Sequence, residues 1–100
     1  MKIAFNQLIL DLNNKPLESN GQPFTLRNAA QEALLATFAD EPNLPAVEKI
    51  KRFTLAQKIA PMQVVEISIE EAATIKELVG KAYGPLIVGR VYALIEEATK

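Results

Sequence analysis

The sequence predicts an α+β protein, mainly α, with about four helices, a short N-terminal β-hairpin and a C-terminal αα-hairpin that turns at a Gly-Pro corner. Three observations carry this reading. Residues 68 to 96 spell two amphipathic helices around Gly84-Pro85, residues 26 to 39 and 46 to 59 repeat apolar side chains at helical spacing, and residues 2 to 24 combine near-alternation with turn residues. With 100 residues, 49% apolar and 23% charged, the chain is long enough for one core and too short for two. It reads as a single domain, 1–100, with a hairpin part at 1–24 and a helical part at 25–98.

At the start, Ile3, Phe5, the run Leu8-Ile9-Leu10 and Leu12 lead into Asn13-Asn14-Lys15-Pro16. An apolar run closed this way is a strand entering a turn, because Asn tolerates positive φ and Pro presets its own φ. Asn20-Gly21 marks a second turn. Thr25 is the expected N-cap of a first helix over 26 to about 39, with Leu26, Ala29, Ala30, Ala33, Leu34 and Phe38 as its apolar stripe. Asp40-Glu41-Pro42-Asn43-Leu44-Pro45 breaks it, and Pro45 suits the first turn of a second helix, with Asn43 or Leu44 preceding it. Val47, Ile50, Phe53 or Thr54, and residues 56 to 59 recur there at helical spacing up to Pro61.

Residues 62 to 67 form a short extended connector. Ser68-x-x-Glu71 then opens the third helix as a capping box, and Glu70 and Glu71 complement the positive helix end. That helix is expected to bury Ile69, Ala72, Ala73, Ile75, Leu78, Val79 and Ala82 and to stop where Gly84 takes a left-handed conformation. The fourth helix, from Pro85 to about Ala98, carries Leu86, Ile87, Val88, Val91, Tyr92, Leu94 and Ile95. It is apolar over most of its circumference, which places it at the centre of the fold or against a partner subunit.

The chain contains no cysteine and no histidine. Disulfides, thiolate or histidine metal sites and Ser-His-Asp or Cys-His catalysis are therefore outside its repertoire. Carboxylates, lysines, tyrosines and hydroxyls remain, and no spacing brings two carboxylates together as acid and base, so the reading is non-enzymatic, with no cofactor. No apolar run approaches a membrane span and no basic-then-apolar leader is present, so a cytoplasmic setting is expected.

The net charge of −1 is unevenly placed. Lys2, Lys15 and Arg27 against Asp11, Glu18, Glu32, Asp40 and Glu41 make residues 1 to 46 acidic; Lys49, Lys51, Arg52 and Lys58 against Glu48 make 47 to 60 basic; six glutamates against four cations make the remainder acidic again. A basic helix between acidic neighbours reads as internal complementarity or as a docking face for an acidic partner. Nucleic acid is disfavoured, because phosphate binding goes with a basic domain.

Gly80-Lys81-Ala82-Tyr83-Gly84 has the spacing of a helix-packing motif, without the order a phosphate loop requires. Close helix approach through Gly80, Gly84 and Gly89 is the expectation, and Tyr83 and Tyr92 are expected to bury their rings and wet their hydroxyls. The candidate contact residues are Lys49, Lys51 and Arg52 on the basic helix and Leu86 and Tyr92 on the apolar one.

Four stretches together, Leu10-Asp-Leu-Asn-Asn-Lys-Pro-Leu17, Ala33-Leu-Leu-Ala-Thr-Phe-Ala-Asp-Glu41, the segment 48 to 59 and Ile75-Lys-Glu-Leu-Val-Gly-Lys-Ala-Tyr-Gly-Pro-Leu-Ile-Val-Gly89, resemble small proteins of tailed bacteriophages and prophages over nearly the whole chain. The resemblance implies a phage setting in the host cytoplasm and a protein that works by contact, and assigns no site residue. Two functions follow as expectations. One is an assembly module that binds itself or another phage protein, as tail assembly chaperones do. The other is a regulatory binder docking on a host or phage nucleic-acid machine through helix 46 to 60.

Overall fold

The computed structural model describes residues 1 to 60 and 63 to 98. In chain order the elements are β1 (Lys2–Ala4), β2 (Glu18–Ser19), β3 (Gln22–Pro23), α1 (Leu26–Leu35), α2 (Ala46–Lys58), β4 (Val64–Glu66), α3 (Ile69–Ala82) and α4 (Pro85–Glu97). The α+β class with four helices and a short N-terminal hairpin is what the chain adopts. Pro61 and Met62, expected to end the second helix and begin the connector, lie outside the described residues.

The hairpin is smaller than the apolar run of residues 2 to 12 suggests. It consists of β2 and β3, with Ser19 opposite Gln22 and Glu18 opposite Pro23. Asn20 at φ 53° and Gly21 at φ 78° form its turn, and two positive φ values in succession match the right-handed twist of the flanking strands. The first strand pairs elsewhere: β1 runs antiparallel to β4, with Lys2 opposite Glu66, Ile3 opposite Val65 and Ala4 opposite Val64. Between them the chain folds as a meander. The Asp11 carboxylate accepts from the N–H groups of Asn13 (2.8 Å) and Lys15 (3.0 Å), and Asn14 turns at φ 61°. Ile9 N–H donates to the Phe24 carbonyl at 2.9 Å and Phe24 N–H to Leu17 at 2.8 Å.

Thr25 caps α1 through a reciprocal pair with Asn28, and Ser68 caps α3 through the same arrangement with Glu71. The first helix ends at Leu35, with Ala36 extended at φ −75°, ψ 154°. It stops short of position 39 because the following residues gain tertiary partners: Phe38 lies under the Lys81 ammonium at 5.5 Å, and Lys81 reaches Asp40 and Glu41 at 3.2 Å each. Packing and ion pairs outweigh alanine propensity there.

The core is built on α1 and α3, which share the largest helix contact, with Leu26, Ala29, Ala30, Ala33 and Leu34 facing Ile75, Leu78 and Val79 and their neighbours. Phe5 and Ile9 from the meander, Ile3 and Val65 from the β pair, and Val91 and Ile95 from α4 close it. Three expectations are corrected. Ile69 stands 74% exposed, and Ala73 and Ala82 also face outward, because the buried arc of α3 is the one through Ala72, Ile75 and Val79. The last helix is peripheral, burying Val91 and Ile95 and leaving Leu86, Ile87, Val88, Tyr92 and Leu94 half-buried. Gly84 is the N-cap of α4 at φ −83°, ψ −179°, an extended conformation open to any residue, and a Cβ there or at Gly89 would meet nothing within 4 Å. Only Gly80 has a close neighbour, the Tyr92 hydroxyl at 3.6 Å from an added Cβ.

Candidate functional site: the outward face of α2

Helix α2 carries two apolar stripes. At about 100° per residue, Ile50 and Ile59 lie on opposite sides of the axis. The stripe of Leu55, Ala56 and Ile59 is buried against α1, where Arg27 Nε donates to the Ile59 carbonyl at 2.9 Å and Gln31 Nε2 to that of Ala56 at 3.2 Å. The other stripe is bare: Val47 and Ile50 are each 62% exposed and Phe53 52%. The N-terminal two-thirds of the helix thus overhangs the fold with large hydrophobic side chains in water. Single exposed hydrophobics need no explanation, but here three successive positions of one i, i+3 ridge are exposed together.

Charge surrounds this ridge in a specific arrangement. Arg52 is committed inward: Nη1 and Nη2 donate to the two oxygens of Glu41 at 2.8 and 2.7 Å, with both side chains largely buried. The Arg52 hydrogen bonds, against the opposing effect of burial and with help from Lys81, hold the Glu41 carboxyl at about 2. The same bond raises Arg52, and Asp40 and then Glu41 raise Lys81. Lys58 donates to Glu71 at 2.9 Å, the carboxylate that also accepts from Ser68 N–H at 2.8 Å. Burial pushes Glu71 up, but Ser68 and Lys58 outweigh it and leave the carboxyl below its ordinary value. Lys51 meets Glu48 at 3.4 Å in an exposed pair, and Lys49 is exposed on the opposite flank.

Two grooves border the helix. One of about 570 Å³ runs between α2 and α3, with Ile50, Thr54 and Leu55 on one wall and Thr74 and Leu78 on the other. Its lips differ in sign, Lys51 and Lys58 on α2 facing Glu70 and Glu77 on α3. The second, about 290 Å³, lies between the residues after α1 and the start of α2, lined by Leu35, Phe38, Pro42, Leu44 and Lys49. Among the described residues, no group of three or more carboxylates could hold a metal ion.

Of the five residues singled out from sequence, Lys49, Lys51 and Arg52 share α2, and Arg52 points into the fold. Leu86 and Tyr92 stand on α4 and line neither groove; Lys76 sits over the Tyr92 ring at 5.5 Å. Tyr83 half-buries its ring edge-on against Phe24 and donates to the Glu32 carboxylate, and burial together with that bond raises its pKa. The spacing of Val47, Ile50 and Phe53 predicts a helix and leaves open which face each residue lies on. The signal that separates the two stripes is the position of Ile50, about 180° around the helix from Ile59.

Against protein-family models, curated proteins and solved structures, the chain finds no match. Among the described residues no helix is long and apolar enough to cross a membrane.

Proposed function

We propose that this protein is a non-catalytic contact module and that the outward face of α2 is its working surface. The observation that carries the reading is the ridge of Val47, Ile50 and Phe53, opposite the helix's own buried stripe and left in water. Burying such a ridge contributes about 25 cal/mol per Å² of apolar surface removed from water, the main driving force for association. Cationic side chains offer less. Arg52, Lys58 and Lys51 already have carboxylate partners within the chain, which favours contact by apolar burial, as in an assembly module of the phage kind, over a charge-driven regulatory binder using helix 46 to 60.

The test is affinity capture from cells that naturally make the protein, comparing the wild-type chain with the double variant Ile50→Glu/Phe53→Glu. Both positions are exposed, so the variant keeps its fold by circular dichroism. The wild type is expected to retain chains, copies of itself included, that the variant loses. Identical captured sets would remove α2 from the reading.

A further inference from the structure

We infer that the outer edge of β4 is a site of strand addition, taking an extended segment of another protein as a third strand of the β1–β4 sheet; the inference is independent of the α2 reading and adds a second contact surface. The register decides which backbone groups are already used. Met1 and Ile67 exchange hydrogen bonds in both directions, at 2.9 and 2.8 Å, and Phe5 N–H donates to the Gln63 carbonyl at 2.7 Å. Antiparallel strands alternate bonded and non-bonded pairs, so Ile3 and Val65 bond each other between these two, while the N–H and C=O groups of Val64 and Glu66 point away from β1. Among the described residues no third strand lies beside β4, and none of those four groups has a hydrogen-bond partner. The outer edge of β1 is less open, because the Ala4 carbonyl accepts from Gln7 Nε2 at 2.8 Å.

Such an edge selects its occupant by backbone geometry. Outward residues two apart repeat at about 6.6 to 6.8 Å with a donor and an acceptor at each, a ladder that an extended polypeptide matches and that a helix, a phosphate or a lipid surface does not. A two-stranded sheet is also the one that gains most from a third strand. The side chains agree with this. Val64 is 48% exposed on the open face while Val65 is buried, so an added strand covers Val64 by setting an apolar residue opposite it. The Glu66 carboxylate, 3.6 Å from the Met1 amino group, already has a cation, and the preference therefore lies in the backbone and in Val64. A second copy of this chain pairs less well. Centred on Val65 it sets Val64 against the Glu66 carboxylate, centred on Glu66 it opposes two carboxylates, and centred on Val64 it joins that residue alone within the strand.

The probe is the strand that β4 already accepts: a synthetic peptide of residues 1 to 7, Met-Lys-Ile-Ala-Phe-Asn-Gln, acetylated and amidated, titrated into the isotope-labelled full chain and followed by NMR. The expected result is a saturable shift of the Val64 and Glu66 amide signals with a Kd of about 1 mM or tighter. The same peptide methylated on the backbone nitrogens of its Lys and Ala, which face β4 in this register, should bind about tenfold more weakly through the lost hydrogen bonds. Val64→Pro should weaken the unmodified peptide in the same way, because it removes an outward N–H and no β1–β4 bond; its circular dichroism reports whether it is folded, and where it is not, the methylated peptide decides alone. No shift up to about 5 mM peptide, or equal binding of the methylated peptide, overturns the proposal. A wild-type chain that sediments as a dimer while Val64→Pro is a monomer overturns another protein as the occupant.

Discussion

Single residues in this chain hold conformations that their chemistry makes cheap, and two glycines show the difference between appearance and need. Gly21 sits at φ 78° in the β2–β3 turn, so Gly21→Ala is expected to cost about 1 kcal/mol in urea unfolding, the penalty for a Cβ in the left-handed region. Gly84 stands in the most conspicuous dipeptide of the sequence yet has an ordinary extended backbone. Its place is the N-cap of α4, where a hydroxyl could accept an N–H bond that no side chain now accepts. Gly84→Ser should therefore stabilise the protein by a few tenths of a kcal/mol. The Gly-Pro corner was legible as a corner because Pro tolerates the first helical turn; its φ was not, since an N-cap and a left-handed C-terminal residue both favour glycine. Ser68, by contrast, could be assigned its role outright, because the reciprocal partner Glu71 stands three residues on. Ser68→Ala is expected to lower stability by about 1 kcal/mol, measured by the same unfolding curves.

Elements depart from sequence expectation where tertiary partners outbid local preference. The alanine-rich first helix has no stop signal before Asp40, and its end at Leu35 follows from interactions that no local pattern encodes: Phe38 beneath Lys81, and Glu41 clamped by Arg52. That clamp makes a pH-dependent strut between the segment after α1 and helix α2. The Glu41 pKa lies below its ordinary value of 4.5, at about 2, so the ionised carboxylate favours the folded state. The contribution is complete above about 4.5 and disappears as pH falls toward 2. Wild type should therefore exceed Glu41→Gln in Tm near neutral pH, and the gap should close through that acid range. A gap that stays constant down to pH 2 would mean that the clamp acts through packing rather than charge. In α2 the spacing of apolar residues correctly marks a helix but leaves the faces unassigned, because apolar residues stand on two sides of it. Pairing in the sheet was illegible for a different reason. An extended run gives its own strand character and says nothing of which distant segment lies beside it.

At the scale of the whole molecule, the fold is a helical core whose second helix is docked at one end and bare at the other. The α+β class was readable because capping boxes, helix breakers and turn residues all agree with one another, a consistency across levels that foldable sequences share. The site was readable only in part: composition excluded the histidine and cysteine chemistries, and the basic helix was visible, but the burial of Arg52 and the exposure of Ile50 depend on how α2 leans on α1.

The pairing of β1 with β4 bears on the order in which the chain is made. Ribosomes add about 5 to 20 residues per second, so β1 waits some seconds for Val64–Glu66 to be synthesised. Until then Ile3 lacks its opposite strand. Closure comes later still for the meander, where Arg90 of α4 donates to the carbonyls of Leu10 at 3.1 Å and Asp11 at 2.6 Å. The segment holding β1 and the meander is made before both of its partners and is thus among the last parts of the fold to be locked. A nascent chain stalled before residue 64 should leave the segment of residues 1 to 24 open to proteolysis, and the chain released from the ribosome should protect it.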